Sequence, residues 1–147
     1  MKKYERHYTT KQRRSYDCGI TCAINILRYW GHNVSRIDFE EILADKVIKR
    51  DGASMYDLIH VLRKYNLPAQ GVSCELAMFQ DIKYCPAILV VETMPKKFHY
   101  IVLHEIKDGM ITVADPSIWA ARISVLSFQE FAKKYHWYGE TILLKQT

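Results

Sequence analysis

A chain of 147 residues suits one hydrophobic core and is short for two, so a single domain over residues 1–147 is expected. With 49% hydrophobic and 25% charged residues, only six Gly and four Pro, the composition excludes a disordered or fibrous chain. The net charge of +5 suits an acidic peptide, an anionic membrane surface or nucleic acid, but Arg13-Arg14, Lys96-Lys97 and Lys133-Lys134 form no basic block interleaved with aromatics, so no nucleic-acid partner is expected.

The polar start Met1-Lys2-Lys3-Tyr4-Glu5-Arg6 reads against a secretory signal, and no stretch approaches the roughly 20 apolar residues of a membrane span. The expected segment is therefore soluble, without direct membrane insertion. Cysteines 18, 22, 74 and 85 make neither a Cys-x-x-Cys pair nor a zinc-type Cys/His quartet, so free thiols in a reducing compartment, no metal and no cofactor are expected.

In chain order, helical signals come first. Cys18, Cys22, Ile26 and Tyr29, flanked by Ala23 and Leu27, recur at helical spacing from Cys18 to Trp30; Asp17 is the expected N-cap and Gly31 the stop. Ser35-Arg36-Ile37-Asp38 opens a second helix through about residue 47, and Ser54-Met55-Tyr56-Asp57 a third with Leu58, Ile59, Leu62 and Tyr65 on its apolar face; both openings read as capping boxes with Asp as the acidic member. After Asn66-Leu67-Pro68 the pattern turns to strands at 69–73, 86–92, 98–106, 110–114 and 141–145, with short helices at 76–82 and 127–135. Helices followed by strands predict an α+β fold, N-terminal helices packed on an antiparallel sheet.

Alternation along residues 98–103 puts His99, Ile101 and Leu103 on one face and Phe98, Tyr100 and Val102 on the other. A three-residue loop Lys107-Asp108-Gly109 pairs Ile106 with Met110 and Ile101 with Asp115, making His99 and Asp115 diagonal neighbours on one face. A two-residue Asp108-Gly109 loop would shift pairing by one and turn Asp115 to the opposite face. Taken singly, His99 reads as well as a satisfied core histidine, and Asp115 before Pro116 as a strand terminus.

A thiol at a helix start meets unpaired N–H groups and the helix dipole, which stabilise a thiolate; Cys18 has that place, whereas Cys22, one turn deeper on the stripe with Ile26, reads as packing. A thiolate attacking a peptide carbonyl needs a base, an orienter for the base and donors for the oxyanion, roles that fall to His99, Asp115 and the pair of Gln12 with the Cys18 backbone N–H. Tyr16, Asp17, Lys97 and Phe98 are the candidate walls of a narrow substrate cleft beside Cys18.

The ordered set Gln12, Cys18, His99 and Asp115 resembles the papain-like cysteine peptidases, and most closely the bacteriocin-processing, double-glycine-leader peptidase domain at the N-terminus of peptidase-containing ABC transporters. The likeness runs through Asp17-Cys18-Gly19, Cys22, Asp51-Gly52-Ala53-Ser54, His99-Tyr100-Ile101-Val102-Leu103, Ala114-Asp115-Pro116, Phe131, Trp137-Tyr138-Gly139 and Ile142-Leu143-Leu144. It departs from the pattern at Ser117-Ile118-Trp119-Ala120-Ala121, which lacks the glycine common after the Asp-Pro.

The resemblance implies a cysteine endopeptidase that cuts bacteriocin- or lanthipeptide-type precursors after a Gly-Gly type motif. It implies a precursor with an amphipathic helical leader as partner, no cofactor, and a peptidase domain excised from a longer transporter, where it would lie on the cytoplasmic side of the membrane. A non-catalytic leader-binding domain of the same fold, and a papain-like acyltransferase or isopeptidase, are the alternatives.

Overall fold

The computed structural model describes residues 18–35, 54–94, 97–117 and 123–144. The second expected helix, beyond Ser35, lies outside the described residues, as do Gln12, Tyr16 and the expected N-cap Asp17.

Helix α1 (Cys18–Tyr29) starts and ends about where its periodicity predicts, and Gly31 takes a left-handed φ of 90° just past its end. Its burial is broader than one stripe: every residue from Gly19 to Leu27 is buried. Helix α2 (Met55–Lys64) opens on a true capping box, in which Ser54 Oγ accepts from the Asp57 N–H at 3.1 Å and Asp57 Oδ2 accepts from the Ser54 N–H at 3.2 Å.

Strands β1 (Ala69–Ser73), β2 (Ala87–Met94), β3 (Lys97–Lys107), β4 (Met110–Ala114), β5 (Ser124–Ser127) and β6 (His136–Leu144) form one antiparallel sheet in the order β1-β6-β2-β3-β4-β5. The short helix expected at 76–82 is a pair of 3-10 turns, Leu76–Gln80 and Ile82–Tyr84. Helix α3 (Phe128–Lys134) begins on a second capping box, with Ser127 and Glu130 exchanging bonds of 2.9 and 3.1 Å. No helix among the described residues is long and apolar enough to cross a membrane.

Alternation along the central strands sends side chains into two cores. Ile88, Val102 and Ile142 join Ile20, Ala23, Ile24 and Leu27 of α1 and Leu58, Val61 and Leu62 of α2. Leu89, Ile101, Leu103, Val113 and Leu143 face the other way, onto Phe79, Phe131 and Tyr135. Burying a Leu or Ile side chain contributes roughly 1.5–3 kcal/mol, so both layers hold the sheet firmly.

The β3–β4 hairpin corrects one expectation. Its loop has two residues: Lys107 pairs with Met110 and Ile106 with Ile111, while Asp108 and Gly109 take left-handed φ angles of 54° and 74°, as a tight primed turn requires. Left uncorrected, that register would turn Asp115 away from His99. An irregularity between Leu103 and Glu105 makes His104 an extra residue in β3 and restores Leu103 opposite Val113 and Val102 opposite Ala114. Continued one step past that last pair, the register aligns Ile101 with Asp115, the alignment that the longer loop was expected to produce.

Candidate active site

Three elements supply the site's titratable groups. Cys18 is the first residue of α1 and is half-buried. The helix start sits close against the sheet because residue 19 is glycine: a Cβ there would lie 3.1 Å from Leu58 Cδ1 and 3.2 Å from the Tyr100 ring. His99 comes from β3, and Asp115 follows β4 directly.

His99 Nε2 lies 2.8 Å from Asp115 Oδ1, with side-chain exposures of 12% and 7%, so the diagonal pairing does bring these two groups together. Ser117 is a second neighbour: its Oγ is 3.2 Å from His99 Nε2, and its backbone N–H donates to Asp115 Oδ1 at 2.9 Å. Tyr135, just past α3, donates its phenol hydrogen to Asp115 Oδ2 at 2.5 Å.

The electrostatics follow from this packing. Burial works against the imidazolium of His99, yet hydrogen bonds with Asp115 and Cys18, and the negative charges of both, lift its pKa from 6.5 to about 9. Burial alone would raise Asp115, but His99, the Tyr135 hydroxyl and the Ser117 N–H together hold it well below the usual carboxylate range. Cys22 is completely buried, and burial first, then the charges of Cys18 and Asp115, push its thiol well above the ordinary value. Burial likewise pushes Cys85 up to about 12, with Glu105 and Asp81 adding to it.

Of the expected cleft walls, Lys97 is exposed and Phe98 is 63% exposed beside His99. Sequence reasoning missed Ser117 and Tyr135. Ser117 had a signal, since an aspartate readily accepts from the N–H two residues on and turns the chain. Tyr135 had none beyond its i, i+4 spacing from Phe131, which marks a packing face and says nothing of where the hydroxyl goes.

Half-buried cysteine at a helix start, imidazole from a central strand and buried carboxylate just past the next strand lie within an α+β fold of the papain-like class. Two solved structures share that fold across nearly the whole chain. A double glycine motif protease from an AMS/PCAT transporter, solved in complex with its leader peptide, aligns with a TM-score of 0.76 at 21% identity, covering 97% of this chain and 94% of that one. The peptidase domain of Streptococcus ComA, a bifunctional ABC transporter of a quorum-sensing pathway, aligns at 0.77 and 21% identity, covering 95% and 100%.

The chain belongs to the Peptidase C39 family, whose model matches residues 6–147, and is a cysteine peptidase by class. Among its relatives, the sublancin-168-processing and transport ATP-binding protein SunT of Bacillus subtilis is 30% identical over 139 residues, 92% of this chain and 19% of that protein. The lactococcin-G-processing and transport ATP-binding protein LagD of Lactococcus lactis is 26% identical over 126 residues, 84% of this chain and 17% of that protein. The chain thus spans about a fifth of the length of these relatives.

Proposed function

We propose that Cys18, His99 and Asp115 form the catalytic triad of an endopeptidase that removes the leader from bacteriocin- or lanthipeptide-type precursors by cutting after a Gly-Gly type motif. The observation that carries this reading is the 2.8 Å bond between His99 and Asp115, on an imidazole whose protonated form Cys18 also favours. With Nε2 engaged by the carboxylate, Nδ1 is the nitrogen left to exchange a proton with the sulfur.

In that geometry the Cys18 thiolate attacks the carbonyl carbon of the second small residue, and the carbonyl oxygen becomes an oxyanion. Backbone N–H groups in the first turn of a helix have no intrahelical acceptor, so the Cys18 N–H is available to receive that charge, with the Gln12 side-chain amide as its proposed companion. His99 then donates its proton to the leaving amine as the C–N bond breaks, leaving the leader as a thioester on Cys18. The neutral imidazole next takes a proton from water, whose oxygen displaces the sulfur and frees the leader acid. Asp115 stays ionised throughout, keeps the ring oriented and stabilises its cationic form.

The relatives' roles in processing and transport support a place beside an ABC transporter on the cytoplasmic side of the membrane, and the leader-bound transporter protease supports a leader peptide as substrate. The leader is proposed to bind as an amphipathic helix, with Tyr16, Asp17, Lys97 and Phe98 lining the path of the small residues to Cys18. Incubation with a synthetic double-glycine leader peptide, read by mass spectrometry, tests this. One cut after the second glycine is expected, and none from Cys18→Ala. An intact peptide, or transfer of its acyl group to an amine in place of water, would overturn the reading.

A further inference from the structure

We propose that Tyr135 is a positioning residue of the active site, its phenol fixing the Asp115 carboxylate and, through it, holding the His99 ring toward Cys18. The inference rests on the peptidase reading above and extends it to the layer on the far side of the sheet.

A buried tyrosine needs some partner for its hydroxyl, so a hydrogen bond alone says little. Two features of this one say more. Its acceptor is a carboxylate oxygen of the site itself, at 2.5 Å, the short range of charge-assisted O–H···O bonds. The donor is also held rigidly: Tyr135 is 2% exposed, its ring lies 5.5 Å from that of Phe131, Lys134 Nζ stands 5.6 Å from the ring, and its N–H donates to the Phe131 carbonyl at 2.8 Å. Burial and the neighbouring carboxylate push the phenol above its ordinary pKa, so it remains a donor throughout the working pH range.

A carboxylate can turn about its terminal torsion with little resistance. Asp115 Oδ1 is shared by His99 Nε2 and the Ser117 N–H, while Tyr135, a member of the second core, engages Oδ2. Holding both oxygens at once blocks that rotation and keeps Oδ1 in line with the imidazole. Without the phenol the carboxylate can turn, the imidazolium loses part of its support, and proton delivery to the leaving amine slows.

Tyr135→Phe keeps the ring and its packing and removes the hydroxyl alone. In the full chain, with turnover divided by the titrated Cys18 thiol, kcat should fall about tenfold with KM unchanged, and the alkaline limb of the pH profile should move to lower pH. Coupled to Asp115→Asn, the two losses should be less than additive, since the phenol acts through that carboxylate. Unchanged kcat per thiol and an unmoved limb, or fully additive losses, would overturn the positioning role, whatever happens to the Tm. A wild-type chain that leaves the leader peptide intact would instead overturn the peptidase reading and this role with it.

Discussion

Cys18 and Cys22 are one helical turn apart and chemically unlike. Cys18 is half-buried and acts on the charge of His99, whereas Cys22 is fully enclosed and its thiol is pushed up by burial. Iodoacetamide at neutral pH should therefore modify Cys18 well before Cys22 or Cys85, as peptide mapping would reveal; equal labelling would contradict the assignment. Cys22→Ala should cost about 1–2 kcal/mol in thermal unfolding, the scale of a small core cavity, and leave kcat per reactive thiol nearly intact. His99 titrates higher in the fold than free in solution, so its contribution to stability is complete below 6.5 and is lost as pH rises through about 9. The proposed Cys18–His99 ion pair should follow the same limb, with activity falling above about pH 9. Asp115→Asn removes the partner that raises the imidazole, so the alkaline limb should move down; a limb that stayed in place would show that another group sets it.

Among the elements, the start of α1 and the β3–β4 hairpin decide whether thiol and imidazole meet. Gly19→Ala would gain helix propensity, about 1 kcal/mol, and set a methyl 3.1–3.2 Å from Leu58 and Tyr100. Unfolding should change little, because the gain offsets the crowding, while the tip of α1 lifts from β3 and kcat drops about tenfold. Parallel kcat and chemical-denaturation measurements separate the two effects; full activity would show that Leu58 and Tyr100 yield without moving Cys18.

The same elements show what a sequence carries and what it conceals. The α1 stripe, the Ser54 and Ser127 caps and strands 69–73 and 110–114 were legible because periodicity and capping are local properties. The His99–Asp115 alignment was also reached, though by the wrong loop, since a two-residue turn and an inserted His104 together give the same register as one three-residue turn. A strand insertion leaves no local mark, because it is set by pairing with the neighbour. Strand β5 was missed for a related reason: Ser124–Ser127 is a four-residue edge with mixed burial, and Val125 is half exposed. The N-terminal half of β6 hid behind Gly139, whose φ of 102° accompanies an irregularity in its pairing with β2. Tyr135 escaped because its hydroxyl bonds a residue 20 positions away.

For the whole molecule, the sheet is a partition between two cores, and the proposed site draws on both. The helical layer delivers the sulfur, the strands deliver imidazole and carboxylate, and the opposite layer reaches the carboxylate through Tyr135. Two cores hold these layers together, and the chain should process a leader peptide apart from any transporter. The most direct measurement is acid quenching of that reaction at short times, followed by mass mapping of the protein. The leader fragment should be found joined as a thioester to the peptide carrying Cys18. An adduct on Cys22, Cys74 or Cys85, or full-rate cleavage by Cys18→Ala, would contradict the account.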